Sequence, residues 1–138
     1  MSKLSSSRPA LAVAVIVVAV ATGCHPANPI VGKWQITQTL MGAQLTVTRE
    51  FKSDGTESLT NPGGMDAEMS YSVNGNQLHE KATSITIAGH TLKIDPNNAA
   101  TAQKELVETF SVDGDKLTIT NSSAVGVQAS QTFTRAPG

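Results

Sequence analysis

The sequence has one cysteine, no apolar run long enough to cross a bilayer as a helix, and no cluster of basic residues. A lone cysteine excludes a disulfide within the chain. The uninterrupted apolar run, residues 10–21, has twelve residues, whereas a transmembrane helix needs about 20. Ten basic and eleven acidic residues are spread along the chain, which argues against nucleic acid as a partner. The stability of the fold must therefore come from one apolar core.

The first 24 residues have the organisation of a secretory signal. Lys3 and Arg8 give a basic start, the apolar run follows, and small residues precede Cys24. Residues 21–24, Ala-Thr-Gly-Cys, resemble the lipobox of bacterial lipoproteins. The resemblance implies that the Cys24 thiol takes a diacylglycerol, that the chain is cut before this residue and that the new amine is acylated. The alternative is a free thiol after an ordinary secretory signal, which would be open to oxidation in an exported chain.

These features predict three segments: a signal peptide over residues 1–23, a lipidated tether over 24–29 and one domain over 30–138. Removal of the signal leaves 115 residues, enough for one small domain and too few for two. Acyl chains on Cys24 make the membrane the expected partner. His25 stands where an aspartate retains many lipoproteins in the inner membrane. By that family rule the protein is expected on the outer membrane, facing the periplasm.

After the tether, apolar and polar residues alternate with period two almost to the end of the chain. The apolar partners on one face include Trp34 and Ile36, Leu45 and Val47, Tyr71 and Val73, Ile85 and Ile87, Leu92 and Ile94, Phe110 and Val112, and Leu117 and Ile119. Such alternation indicates half-buried antiparallel strands. Residues 61–64 form a predicted loop. Residues 95–104 fit a long loop or a single helical turn, and the loop is favoured.

Two tight turns lie in a short internal repeat, in which residues 71–78 match residues 110–117 position by position. Asn-Gly and Asp-Gly are favoured in two-residue hairpins, where both positions need positive φ. A turn at Asn74-Gly75 predicts that Tyr71 lies opposite Leu78, and the second repeat predicts Phe110 opposite Leu117. In the first hairpin, a loop over residues 41–44 predicts the pairs Leu40–Leu45, Ile36–Arg49 and Trp34–Phe51.

The opening of the domain, Val31-Gly32-Lys33-Trp34, resembles the G-x-W motif of lipocalins and of bacterial lipocalin-like lipoproteins. Residues 51–56, residues 112–119 and the closing Phe133-Thr134-Arg135 are similar to the same group. The resemblance implies an all-β fold, a small antiparallel up-and-down barrel of about eight strands. It also implies that Arg135, on the last strand, lies across Trp34, on the first. A barrel of this size encloses its own side chains or one small ligand.

No catalytic or metal-binding arrangement stands out. A site of His79, Glu80 and His90 is conceivable, but adjacent strand residues such as His79 and Glu80 point to opposite faces. Exposed polar strand residues are the favoured interpretation of all three. No serine occurs in a nucleophile-elbow context. The sequence therefore predicts a non-enzymatic protein with no cofactor and no metal.

Polar residues at apolar-face positions are the candidate functional residues. By alternation Gln38, Arg49, Glu108 and Gln131 point inward. A buried charge is costly unless it is paired, so one interpretation is an Arg49–Glu108 pair or a wet end of the barrel. The other is a pocket in which a few polar groups orient a mostly apolar guest. Both remain open from the sequence.

Two functions follow from these alternatives. The first is binding of a small hydrophobic or amphipathic ligand without catalysis. The second is an envelope protein-interaction or inhibitor module with a filled barrel. An accessible cavity favours the first, and a packed interior with a large exposed apolar patch favours the second.

Overall fold

The computed structural model describes residues 28–98, 104–122 and 128–137. Nine strands cover most of them: β1 (Gly32–Leu40), β2 (Ala43–Phe51), β3 (Thr56–Asn61), β4 (Met65–Asn74), β5 (Gln77–Ile87), β6 (His90–Lys93), β7 (Leu106–Asp113), β8 (Lys116–Ser122) and β9 (Gln128–Arg135). In these ranges there is no helix that is long and apolar enough to span a membrane. The signal peptide predicted over residues 1–23 and the predicted lipidation site Cys24 lie outside the described residues.

Eight of the strands close into an antiparallel barrel, which confirms the predicted fold class. The circuit runs through β1–β5 and β7–β9, and the pairing of β1 with β9 completes it. The extra strand, β6, lies outside this circuit. The first four residues of β5 pair with β7 and its last four pair with β6. The β5–β6 hairpin therefore extends one wall beyond the closed part of the barrel.

The two ends of the barrel differ in packing. At one end, here called the closed end, lie the start of β1, the end of β9 and the turns that follow β2, β4 and β7. The apolar core is concentrated there and consists of Ile30, Trp34, Phe51, Leu78, Phe110, Leu117, Ile119 and Phe133. The other end, here called the open end, carries most of the exposed large apolar side chains. The core thus fills only part of the length of the barrel.

The first hairpin differs from the prediction by two residues. Its turn is Met41–Gly42, and both residues have positive φ, at 51° and 82°. This turn places Leu40 opposite Ala43 and Trp34 opposite Arg49, so the predicted Trp34–Phe51 pair is wrong, as are Ile36–Arg49 and Leu40–Leu45. Side chains alternate with period two, and the shift is even. The described side chains of these two strands consequently keep their predicted faces.

The repeated hairpins show the same even shift. Their turns are Gly75–Asn76 and Gly114–Asp115, one residue later than predicted, so that Val73 lies opposite Leu78. Among these turn residues only the glycines have positive φ, 62° and 57°. Glycine alone at the first turn position is the pattern of a type II′ turn, whereas the prediction assumed type I′. The predicted Tyr71–Leu78 and Phe110–Leu117 pairs are therefore wrong; Tyr71 lies opposite Glu80 and Phe110 opposite Ile119.

The contact between Trp34 and Arg135 seals the closed end, as predicted. The two residues are paired between β1 and β9, and the guanidinium carbon of Arg135 lies 4.1 Å from the centre of the Trp34 ring. The indole N–H of Trp34 donates to the Ile30 carbonyl at 2.7 Å, so the buried ring leaves no polar atom unpaired. Gly32 has a φ of 140°, and a Cβ there would lie 2.5 Å from Nη1 of Arg135. The backbone conformation favours glycine here, and a Cβ would displace the Arg135 guanidinium from its place beside Trp34.

Substitutions of Trp34, Arg135 and Gly32 should lower stability by different amounts. Trp34→Ala should lower the free energy of unfolding by about 3–5 kcal/mol, because a buried aromatic ring is lost. Arg135→Ala should cost about 0.5–2 kcal/mol, the range for a cation–π contact, and Gly32→Ala about 1–3 kcal/mol through backbone strain. Urea denaturation measures all three, with Arg135→Lys as the control that retains a cation. An Arg135→Ala variant as unstable as Trp34→Ala would contradict this ranking.

Candidate functional site

Four charged residues meet inside the barrel: Arg49 of β2, Glu57 of β3, Glu80 of β5 and Glu108 of β7. They are called the Arg49 cluster below. All four belong to the inward-facing set of their strands, and none is more than 7% exposed. Two residues further toward the closed end on three of these strands lie the core residues Phe51, Leu78 and Phe110. The Arg49 cluster therefore forms the layer directly above the apolar core.

The guanidinium of Arg49 contacts a different glutamate with each of its nitrogens. Nε donates to Oε1 of Glu57 at 2.6 Å, Nη2 donates to Oε1 of Glu80, and Nη1 lies 3.7 Å from Oε2 of Glu108. The guanidinium carbon also lies 5.1 Å from the centre of the Phe51 ring and 5.8 Å from that of Phe133. Both carboxylates and aromatic rings are favourable neighbours for a guanidinium. Arg49 is held on every side by the protein itself.

The surroundings of Glu80 favour its protonated form. Burial, a hydrogen bond with Glu57 and the neighbouring carboxylates raise the pKa of Glu80 to about 9, although Arg49 opposes this. Burial lowers the pKa of Arg49, but the three glutamates, Glu57 foremost, more than offset this and raise it overall. At neutral pH Glu80 is therefore protonated. A single guanidinium is shared among three carboxyl groups.

Two oxygens of the Arg49 cluster lack a hydrogen-bond donor. They are Oε2 of Glu57 and Oε2 of Glu108, and both are shielded from solvent. Buried carboxyl oxygens without a donor are unfavourable, because they have lost the hydrogen bonds that water would donate. Each nitrogen of the guanidinium thus has a carboxyl group nearby, whereas two of the carboxyl oxygens have no hydrogen-bond donor.

Above the Arg49 cluster, the wall toward the open end is apolar and exposed. Met65, Ile87, Leu92 and Leu106 are between 43% and 60% exposed. Strand register places all four on the inward-facing side: Met65 pairs with Ile87, Leu92 pairs with Ile85, and Leu106 pairs with Glu80 of the cluster. These four side chains are called the apolar wall below. The wall adjoins the buried charges directly through the Leu106–Glu80 pair.

A β-bulge explains how β5 contributes to both layers. Leu78, Glu80 and Ala82 face inward at even positions, whereas Ile85 and Ile87 face inward at odd ones. The change occurs at Thr83, where the register of β5 against β4 shifts between Glu68 and Met69. An extra residue in one strand reverses the alternation beyond it. Without the bulge the two isoleucines would point away from the barrel interior.

The structure separates the four predicted site residues into two groups. Arg49 and Glu108 come together, as one interpretation of the sequence expected, while Gln38 and Gln131 are exposed. The ligand-binding role assigned to all four stays a prediction. Glu57 and Glu80 are the residues that sequence reasoning missed, and the expectation that Glu80 is an exposed strand residue is wrong. The alternation Leu78-x-Glu80 carried the signal for Glu80, since both residues share one face.

The conceivable metal site is not assembled. His79 and Glu80 face opposite sides of β5, and exposed His90 begins β6 opposite Ile87, about 25 Å of strand away from His79. Across the described part of the chain, no group of three or more His, Cys, Asp or Glu residues is placed to hold a metal ion.

On the outer surface, His79 lines a shallow pocket of about 150 Å³ together with Ser70, Ser72, Lys81, Glu105 and parts of Tyr71 and Glu80. Nδ1 of His79 lies 3.6 Å from Oε1 of Glu105. Ser72 is the cross-strand partner of His79. No hydrogen bond joins these two described side chains, so the contact that activates a serine nucleophile is not formed here.

The fold and the site define a small closed β-barrel with a buried charge layer below an exposed apolar wall. No known protein family, curated protein or solved structure matches the chain. Interpretation of its function therefore starts from these residues.

The protonation of Glu80 should appear in the pH dependence of stability. Its folded pKa of about 9 lies above an unfolded value of about 4.3. Between these values the folded state binds more protons than the unfolded state, so the free energy of unfolding should fall as pH rises, by at most about 1.4 kcal/mol per pH unit. Urea denaturation from pH 5 to 9 should show this decline in the wild type and a much flatter profile in Glu80→Gln.

The matched control for this experiment is Glu68→Gln, since Glu68 is exposed on the neighbouring strand. This variant should retain the wild-type slope. Parallel profiles for the wild type and Glu80→Gln would show that Glu80 is not protonated in the folded state.

Proposed function

We propose that this protein is a lipid-anchored lipoprotein of the bacterial envelope. Its lipocalin-like barrel binds a small hydrophobic or amphipathic molecule at the open end, without catalysis. The observation that carries the binding proposal is the apolar wall: four large apolar side chains on the inner face of the barrel, each about half exposed, directly above a buried charge layer. The lipobox-like residues before Cys24 support the anchor.

The position of the apolar wall favours a ligand inside the barrel. Ligand sites are concave and mostly apolar, with a few polar groups that orient the guest. Here the apolar side chains belong to the inner face, and the nearest polar groups are those of the Arg49 cluster. An apolar guest would remove the exposed side chains from water, at roughly 25 cal/mol per Å² of apolar surface buried.

The alternative is an envelope protein partner that docks on the open end. Met41, in the turn between β1 and β2 at this end, has a fully exposed apolar side chain. A protein that covers this rim would contact outward-facing as well as inward-facing residues. A ligand inside the barrel would contact the inward-facing residues alone. Substitutions on the two faces of one strand therefore separate the two functions.

The proposed anchor also fixes an orientation. The described chain begins at the closed end, and the six residues of the tether, 24–29, span at most about 20 Å when extended. An acylated Cys24 would hold the closed end near the membrane. The open end would then face away from the membrane and into the periplasm, where it is accessible to a diffusing ligand.

Leu106 and Val107 offer a matched test of the binding proposal. They are adjacent on β7 and similarly exposed, at 48% and 43%, but Leu106 faces inward beside Glu80 and Val107 faces outward beside His79. Titration with the uncharged fluorescent probe N-phenyl-1-naphthylamine should show saturable binding to the wild type. Leu106→Glu should weaken this binding at least tenfold, because it places a charge against the guest, and Val107→Glu should leave it unchanged.

Equal effects of the two substitutions would favour a protein partner on the rim, and the absence of saturable binding would contradict the ligand proposal. Native mass spectrometry of protein purified from envelope extract provides a second readout. A retained small molecule should be present in the wild type and absent in Leu106→Glu.

The anchor is tested by Cys24→Ala. Without the thiol no diacylglycerol can be attached, so the protein should be found either in the soluble fraction or as an uncleaved precursor. Detergent partitioning and metabolic labelling with a fatty acid measure the outcome, and His25→Ala is the control that should remain anchored. A Cys24→Ala protein that loses its signal and still partitions into detergent would contradict the lipobox interpretation.

A further inference from the structure

We propose that the Arg49 cluster is the head-group subsite of the ligand pocket and that it selects an amphipathic amine over an amphipathic acid. This inference rests on the proposed binding function and names the chemical class of the ligand. Three observations carry it: the place of the cluster in the barrel, the contacts of its one guanidinium with all three glutamates, and its two carboxyl oxygens without donors.

The Arg49 cluster lies where the polar end of an inserted guest would arrive. Glu80 is the cross-strand partner of Leu106, which belongs to the apolar wall. Further inward the barrel is closed by core side chains such as Phe51 and Leu78. A guest whose apolar body covers the wall therefore has its inner end against the glutamates. A purely apolar guest would bring hydrocarbon against buried charge, which is unfavourable.

Arg49 is not available to an anionic head group. Its three nitrogens face Glu57, Glu80 and Glu108, and the rings of Phe51 and Phe133 lie beside the guanidinium. A fatty acid would have to displace one of these carboxylates and leave it buried without a partner, at a large cost. It would also add a negative charge to a cluster that already has more carboxylates than guanidinium groups. The site disfavours acids.

A cationic donor supplies what the cluster lacks. Glu57 is fully buried, and its Oε2 has no donor, although its Oε1 accepts from Arg49. Oε2 of Glu108 also accepts no hydrogen bond, although Nη1 of Arg49 lies 3.7 Å away. An ammonium group carries three donors and one positive charge, and it has no acceptor that would compete. It could donate to these oxygens and place a second cation beside three carboxyl groups that share one guanidinium.

The test compares three ligands that share one tail. Decylamine, decan-1-ol and decanoic acid are titrated at pH 7 as competitors of N-phenyl-1-naphthylamine, below their micelle-forming concentrations. Decylamine should displace the probe at a concentration at least tenfold lower than decanoic acid, with decanol between them. This order needs no substitution, so it does not depend on how well any variant folds.

Two variants test whether the Arg49 cluster is the cause of the preference for the amine over the acid. Glu57→Gln should bring the ratio between the amine and the acid close to one while decanol binding changes little. Glu50→Gln, an outward-facing position on β2 with the same change of charge, should retain the tenfold preference. Far-UV circular dichroism checks that both variants are folded, and Glu108→Gln replaces Glu57→Gln if the latter is not.

The outcomes separate the two proposals. Binding of all three ligands with equal strength, or tighter binding of the acid, would overturn the head-group assignment and leave the ligand pocket in place. A preference for the amine that Glu57→Gln and Glu108→Gln do not reduce would also overturn the assignment, since surface charge would then be its cause. Failure of all three ligands to displace the probe, or absence of probe binding, would overturn the proposed function itself.

Discussion

A single guanidinium surrounded by three carboxyl groups is the interaction on which the barrel interior depends. Arg49, Glu57, Glu80 and Glu108 come from four different strands and converge in a layer that is almost closed to solvent. Isolated charges in such a place would be strongly destabilising. Mutual neutralisation makes the layer possible: Arg49 compensates the glutamates, and protonation of Glu80 removes one of the negative charges. The layer also divides the barrel into a packed part and an accessible part.

The packed part is stabilised by large buried side chains and by the contact between Trp34 and Arg135. Trp34 and Phe133 fill the closed end, and Arg135 covers the Trp34 ring from the last strand. Gly32 makes room for this contact, because a Cβ there would lie 2.5 Å from Nη1 of Arg135. With one end stabilised in this way, the strands near the other end do not need a complete core. Exposed apolar side chains such as Leu106 are then available to contact a ligand.

The sequence predicted which side of a strand faces the barrel interior better than it predicted which residues pair across strands. Period-two alternation correctly placed Arg49 and Glu108 inside the barrel. The resemblance to lipocalins correctly predicted a closed barrel in which Arg135 lies across Trp34. Cross-strand partners were shifted by two residues, because a dipeptide such as Asn74-Gly75 does not tell which of its residues starts the turn. Glu57 was missed since its strand is short and polar, without the apolar alternation that reveals others. The convergence of four charges from distant strands depends on barrel closure and on exact register, which local patterns do not contain.

The central claim is that Arg49 holds three buried carboxyl groups, and Arg49→Met tests it most directly through the free energy of unfolding at pH 7. Removal of the cation of the Arg49 cluster leaves three buried glutamates without a positively charged partner. The account therefore predicts that the free energy of unfolding falls by about 3–5 kcal/mol. Lys33→Met removes an exposed cation from the neighbouring strand and should change stability by no more than about 0.5 kcal/mol. Addition of Glu57→Met, Glu80→Met and Glu108→Met to Arg49→Met should restore most of the loss, because no buried charge is then left without a partner. An Arg49→Met protein as stable as Lys33→Met would contradict the account.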